Sequence, residues 1–243
     1  MKTDITLVSV ITVVRNAASN IEATLRSVIA LKDERLQYVV LDGGSTDGTL
    51  QILERYTEHI DYMHSRADGG IYEAMNDALA YTTGSYILNI NAGDRLLHLP
   101  YAALTAYVAD EACGAVCGSV VTEAGRVITP IHCRTKLRYY NILPHQGLCY
   151  KRELLASSPY DTHYRVFADF DLNQRLFLLG RKRYHVENVV VAEHAMDGVS
   201  NHKSAANELF AIIRKNCGLI AQCIAWCRFK YLGVLSRINA WSV

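Results

Sequence analysis

Four apolar runs separated by helix-like stretches constrain the first half of this chain more than any other feature. "LVSVITVV" (Leu7–Val14) is continuous, apolar and rich in β-branched residues, which suits a strand covered on both faces. "NIEATLRSVIAL" follows with Ile21, Leu25, Val28 and Ile29 at helical spacing, and "QYVVLD" reads as a second strand. "DGTLQILERYTEHI" predicts a helix capped by Thr46 or Asp47, and "DYMHS" a third strand. "GIYEAMNDALAYTTG" predicts a helix closed at Gly84, before a fourth strand in "SYILNIN". Such β-α-β-α-β-α-β alternation joins parallel strands by crossover helices. The fold class is therefore α/β, a mostly parallel central sheet with helices on both faces.

The second half is less regular. "GAVCGSVVTEAGRVITP" predicts a strand and a hairpin around Gly125, "HQGLCYKRELL" a strand and a short helix, "DFDLNQRLFLLG" a helix ending at Gly180, and "RYHVENVVVAEH" closing strands. The change of pattern near residue 112 divides one domain, 1–202, into halves 1–111 and 112–202 that share a sheet. Residues 203–243 form a helical extension, apolar on one side, with Arg214, Lys215, Arg228, Lys230 and Arg237 interspersed. Its longest uncharged stretch falls short of the ~20 residues of a spanning helix. Two readings stand side by side: the extension lies in a membrane interface with its basic residues toward anionic headgroups, or it packs on its own domain or a second subunit as a homodimer contact.

With 243 residues, 50% of them hydrophobic, the chain can bury a core that needs no staples. A formal net charge of +1 gives no electrostatic reason to expect nucleic acid. The N-terminus carries Lys2 and Asp4 and then enters a strand, without the pattern of a secretory signal. Seven cysteines, an odd number with no C-x-x-C pair, read as reduced thiols of a cytoplasmic protein rather than as a zinc site.

In an open α/β sheet, ligands bind beyond the carboxyl ends of the strands. Polar residues follow each of the four strands: Arg15 and Asn16, then Asp42, then Asp68, then Asp94. A lone acid in such a place is ordinarily a turn or cap residue, but a set after four successive strands converges on one crevice. Asp42 opens "DGGSTDGT", whose glycines leave room for a ligand against the backbone. A dinucleotide fingerprint is excluded, because "VVRNAASN" after the first strand contains no glycine.

Taken together, "SVITVVRNA", "VVLDGGSTDGT", "SRADGGIYEAMNDAL" and "YILNINAGD" resemble family 2 glycosyltransferases. They are most similar to small bacterial members that build O-antigen, capsule or exopolysaccharide (colanic-acid-type) repeats. The resemblance covers roughly residues 5 to 200 and implies a GT-A fold with a nucleotide-sugar-binding half followed by an acceptor half. It assigns Val13, Arg15, Asp42, Asp68 and Asn91 to a nucleotide-sugar donor, of UDP type by family habit. It makes Asp94 the ligand of a divalent metal, Mg²⁺ or Mn²⁺. The family usually offers two or three acids in this turn, where "NAGD" has one. His194 or His202 is a candidate further ligand, with a surface or cap contact as the ordinary reading of each.

The resemblance also makes Asp169, at the start of a helix after an aromatic residue, the general base of an inverting transfer. An N-cap is its plain alternative. His145 and Gln146 are placed near the acceptor or diphosphate. Arg134, Lys136 and Arg138 suit an anionic acceptor such as a lipid diphosphate, or simply a solvated basic face. The implied enzyme works on a lipid-linked saccharide in surface-polysaccharide (O-antigen, lipopolysaccharide) biosynthesis in the cytoplasm, at or near the inner membrane. Two other classes stand against it. One is a non-catalytic nucleotide-sugar-binding or scaffold protein that kept the fold and lost its metal motif. The other is a glycoside hydrolase, for which Asp42 and Asp68 would have no purpose.

Overall fold

The computed structural model describes residues 6–195 and 205–239, with Ala205 and residues 231–239 as backbone only. The first four apolar runs become strands in one parallel array. β1 (Val8–Val14), α1 (Ile21–Ile29), β2 (Leu36–Asp42), α2 (Thr49–Glu54), β3 (Tyr62–Ser65), α3 (Ile71–Ala78) and β4 (Tyr86–Asn89) follow one another along the chain. In the register of this array Val14 stands beside Asp42, and Asp42 beside Ser65, so the strand ends come level. Every residue of β1 is buried. Alternate side chains enter two separate cores: Ile11 and Val13 meet Tyr72 and Met75 on one face, while Val10 and Val14 meet Leu25 and Val28 on the other.

Two local expectations change. α2 starts after Gly48, at φ 98°, so neither Thr46 nor Asp47 is its cap. The Asp47 carboxylate instead accepts from the backbone N–H of Thr49, at 3.0 Å, and of Ala18, at 3.0 Å. α3 does not run to Gly84 but tightens into a 3₁₀ turn over Leu79–Tyr81. Gly84 serves packing: a Cβ there would lie 2.5 Å from the backbone nitrogen of Ser9.

The second half contributes β5 (Arg95–Leu96), α4 (Tyr101–Tyr107), β6 (Cys113–Thr122), β7 (Val127–Ile128), β8 (Leu148–Lys151), α5 (Arg152–Ser157), α6 (Ala168–Asn173), β9 (Arg183–His194) and α7 (Ala205–Asn239). All strands join one sheet, ordered β3-β2-β1-β4-β8-β6-β9-β5, with β7 paired to β6. β8 runs antiparallel to both β4 and β6, while β6 and β9 are parallel. α6 passes into a π-helical turn, Gln174–Leu179, rather than continuing regularly to Gly180. α4 has no counterpart in the sequence reading, because its seven residues bury only Ala103 and Leu104. All seven cysteines are free.

α7 consists of two helical stretches joined across Gly218, which has φ 86°. Ile212, Ile213, Ala221 and Ala225 are buried in the core that also holds Phe170 and Phe177. By length and composition Ala206–Lys230 is apolar enough to cross a membrane, which the length of its longest uncharged run understates. Its buried face and its polar ties, described below, pack it against α6 and the π-helical turn that follows. His202 lies outside the described residues.

Candidate active site

The loop after β1 and the loop after β2 hold each other in place. Asn16, at φ 50°, receives a hydrogen bond on its side-chain oxygen from Thr46 N–H at 2.8 Å, and its own N–H donates to Ser45 Oγ at 2.8 Å. Ala17 N–H donates to Thr49 Oγ1 at 2.9 Å. Asp42, 1% exposed, spends its carboxylate on this loop: it accepts from Gly44 N–H at 3.1 Å, Ser45 N–H at 3.0 Å, Ser65 Oγ at 2.5 Å, and from the Ser45 hydroxyl. Asp68 folds over the same turn, where a Cβ on Gly43 would lie 2.5 Å from its Oδ2. A side chain at position 43 would therefore displace the Asp68 carboxylate from this turn.

After β4 the chain turns at Gly93, φ 101°, and Thr24 pins the turn by accepting from Gly93 N–H at 3.0 Å and donating to Asp94 C=O at 2.7 Å. This fixes the direction of the Asp94 carboxylate, which is 4% exposed. Its Oδ1 lies 2.7 Å from His194 Nδ1 and 3.1 Å from Ala195 N–H, and its Oδ2 lies 3.1 Å from the Gln146 side-chain amide. The same amide is 2.8 Å from His194 Nδ1. The hydrogen bond to Asp94 raises the His194 pKa above the usual histidine range, against the opposing effect of burial.

These contacts form a triangle that no arrangement of protons satisfies while Asp94 is ionised. If His194 Nδ1 donates to Asp94, it cannot accept from Gln146. If the Gln146 amide is turned to offer oxygen, it faces a carboxylate. A cation among the three would resolve the conflict, and carboxylate oxygen, amide oxygen and imidazole nitrogen are donor types that fit Mg²⁺ or Mn²⁺. Among the described residues no cluster of three or more His, Cys, Asp or Glu side chains has metal-ligand geometry, so an amide is the third donor at hand.

Asp169 stands in the first turn of α6, one residue beyond the start, with Phe167 at the cap position. It is therefore not the N-cap. At 5% exposure its Oδ2 accepts from Asn141 Nδ2 at 2.9 Å. The Tyr72 hydroxyl is 3.3 Å from Oδ1 but makes its shorter bond, 2.7 Å, to Val166 C=O. One carboxylate oxygen thus keeps lone pairs for the cleft. Asp171 is the contrast: fully buried, it is bound by Arg175 Nε at 2.7 Å and Asn216 Nδ2 at 3.0 Å, with Lys215 at 3.4 Å.

The segment before Asp169 is held by Glu208 of α7, whose carboxylate accepts from three successive backbone N–H groups. These are Arg165 and Val166 at 2.9 Å each, and Phe167 at 2.5 Å. Glu208→Gln weakens this grip by replacing a charged acceptor with one amide oxygen. It is expected to lower kcat by roughly ten- to a hundredfold, because small misplacements of a reacting group cost about that much, with KM for the donor little changed. Steady-state kinetics beside a thermal melt check the split.

Arg15, Asn91, Asp94, His145, Gln146, Asp169 and His194 all line one cleft of about 610 Å³, together with the edge of α3 at Ile71 and Tyr72. That volume suits a small ligand. Val13, Asp42 and Asp68 do not line it: Val13 is in the core beneath, and the two acids shape the adjoining loop. His145 is half-buried, with both ring nitrogens out of solvent and lacking a partner, and the buried Asn91 Oδ1 lacks one too. Burial pushes the His145 pKa down, so the ring is neutral. Polar atoms at a cleft wall with no partner in the protein are free to meet a ligand or water. Two other cavities, of about 600 and 370 Å³, open near Cys113 and Arg183, where β6 and β9 begin. That is the end of the sheet away from the carboxyl termini of the strands.

Tyr72, Asn141 and Glu208 are site residues that sequence reasoning did not single out. Tyr72 reads as one more apolar position of a helix. Asn141 and Glu208 act through contacts 28 residues or more away in sequence, with no local signal.

The glycosyl transferase family 2 profile matches residues 9–168. A PGL/p-HBAD biosynthesis glycosyltransferase of Mycobacterium tuberculosis (strain ATCC 25177 / H37Ra) is 30% identical over 203 residues, covering 79% of this chain and 78% of the relative. The putative teichuronic acid biosynthesis glycosyltransferase TuaG of Bacillus subtilis is 35% identical over 92 residues, 37% of this chain and 36% of TuaG. Among solved structures, S. aureus TarS 1–349 with UDP-GlcNAc superposes at a TM-score of 0.69 with 17% identity, over 86% of this chain and 66% of that one. Glucosyl-3-phosphoglycerate synthase of M. tuberculosis, with Mn²⁺, UDP-glucose and phosphoglyceric acid, gives 0.66 with 22% identity, over 88% and 80%. These structures share the GT-A fold with this chain. The strand-end cleft, the profile over most of the sheet and the 30% relative agree: this chain is a glycosyltransferase and belongs to glycosyl transferase family 2.

Proposed function

We propose that the protein transfers a sugar, with inversion, from a UDP-sugar to a saccharide acceptor carried on a lipid, in bacterial surface-polysaccharide biosynthesis. The observation that carries this reading is the cleft itself, which sets a buried carboxylate with free lone pairs, Asp169, in the same wall as the Asp94–His194–Gln146 group. Residues 1–111 supply the donor side, with Arg15 and Asn91 toward the nucleotide and Asp42 and Asp68 shaping the base-side loop. Residues 112–202 supply the acceptor side.

In this mechanism Asp169 takes the proton of the acceptor hydroxyl as its oxygen attacks the anomeric carbon, and the bond to the diphosphate breaks on the opposite face. Asn141 and Tyr72 aim the carboxylate. Asp94, His194 and Gln146 would hold a divalent cation, Mg²⁺ or Mn²⁺, which when bound neutralises charge on the departing diphosphate. The neutral His145 ring has one N–H to donate and one nitrogen to accept, so it can orient a hydroxyl or phosphate oxygen.

Calorimetric titration of the purified protein with UDP, and with GDP and ADP for comparison, tests the donor reading. Binding of UDP that tightens by at least tenfold in Mn²⁺ is the expected result. UDP binding indifferent to metal would remove the cation from the mechanism, and no nucleotide binding would overturn the donor-site reading.

A further inference from the structure

Eleven large hydrophobic side chains are exposed among the described residues, and nine of them fall in two segments. Four lie between Val127 and Tyr140, where Ile128 lines the cleft; five lie on α7 beyond Gly218: Leu219, Ile220, Ile224, Trp226 and Phe229. Ile220 is 78% exposed, more than a core-facing helix position would be. From Leu209 to Val243 the sequence contains no Asp or Glu, while Arg214, Lys215, Arg228, Lys230 and Arg237 all fall there. Lys215 is engaged with Asp161 at 3.0 Å, but Lys230 stays at the surface, over the Trp226 ring at 5.5 Å.

α7 is fixed to the catalytic region at both ends of this stretch. Glu208 holds residues 165–167, next to Asp169. Arg228 stacks on Tyr139 at 5.6 Å and reaches the Tyr140 hydroxyl at 3.3 Å, beside Asn141, which binds Asp169. The exposed apolar ridge is therefore held in a set place beside the acceptor half of the cleft.

We propose that the face of α7 beyond Gly218 docks on an anionic lipid bilayer. Its apolar side chains enter the boundary between headgroups and acyl chains, Trp226 sits at the interface, and Arg228 and Lys230 meet the headgroups. A spanning role conflicts with the buried Ile212 and Ile213 and with the ties of Glu208 and Asn216, all of which a transmembrane helix would forfeit. A second copy fits poorly. A two-fold contact through this ridge would bring cations against cations, with no acid in the segment to neutralise them. The proposal deepens the reading of a lipid-carried acceptor and rests on it only for its purpose, since docking itself is measured without donor or acceptor.

The test uses the full chain with Trp241→Phe, which leaves Trp226 as its sole tryptophan, and vesicles of phosphatidylcholine with or without phosphatidylglycerol. The expected result is co-sedimentation with the phosphatidylglycerol vesicles, weakened by salt, with a blue shift of Trp226 emission. The double variant Ile220→Glu/Phe229→Glu should lower vesicle affinity at least tenfold while its circular dichroism and UDP affinity stay unchanged. Both sites are exposed, so folding is spared. The proposal is overturned by absent vesicle binding, by binding that the double variant retains, or by a dimer that the double variant splits while vesicles have no effect. UDP affinity on the same samples reports the donor site separately.

Discussion

Asp169→Asn is expected to lower turnover by ~10²- to 10⁴-fold, the usual worth of a positioned general base, and to leave UDP affinity as it was. The substitution keeps shape and the hydrogen bond to Asn141 once the amides reorient, but an amide cannot take a proton at neutral pH. What singles out Asp169 from Asp171, two residues on, is how each carboxylate is used. Asp171 is fully buried and neutralised by Arg175, with Asn216 and Lys215 on its other oxygen. It is a structural ion pair, so Asp171→Asn should cost stability and far less catalysis. Asp169 lines the cleft, has one short donor and keeps lone pairs toward the ligand. Single-turnover rates with donor and acceptor, set beside calorimetry with UDP, separate the cases. A variant that turns over at the parental rate removes Asp169 from the chemistry. One that loses UDP as well shows that the residue supports the donor site rather than the proton transfer.

Much of the sheet was legible because β-branched runs such as "LVSVITVV" are buried on both faces, and a strand of that kind carries its own signature. The direction of the site was legible for the same reason: polar residues at the ends of parallel strands have nowhere to point but the crevice. What local pattern could not supply was the sorting of those residues. Asp42 and Asp94 look alike in sequence, each an acid after a strand and close to glycine. In the fold, hydroxyls and amides from its own loops surround Asp42, whereas Asp94 meets His194, 100 residues away, and Gln146, 52 residues away. Such pairings depend on β9 crossing beside β6 and returning its last residue to the turn after β4. No periodicity within a window encodes that. The role of α7 is hidden in the same way. Glu208 reads as an ordinary acid in the first turn of a helix, and only the packing of α7 on α6 turns it into the acceptor for three backbone amides. The "NAGD" turn, read alone, shows one acid, because the side chains that meet Asp94, those of His194 and Gln146, come from other parts of the chain.

Asp94→Ala should therefore have an effect out of proportion to one lost side chain. It removes the single carboxylate of the turn, and with it the negative charge that, in the proposed mechanism, would draw a cation to this end of the cleft. The expected result is loss of the Mn²⁺ dependence of UDP binding, affinity falling to the metal-free value, and turnover reduced by at least ~10³-fold, since the departing diphosphate would lack its counter-charge. Gln146→Glu is the informative companion. If Gln146 only donates a hydrogen bond to Asp94, a glutamate there sets two carboxylates about 3 Å apart and weakens the site. If the side chain faces a cation, the added carboxylate tightens Mn²⁺ binding, which the electron paramagnetic resonance signal of free Mn²⁺ measures directly and without turnover. Tighter Mn²⁺ in Gln146→Glu together with its loss in Asp94→Ala would establish that this chain builds its metal site from three separate segments. Weaker Mn²⁺ in both would return Gln146 to a hydrogen-bonding role and leave Asp94 and His194 as the ligands.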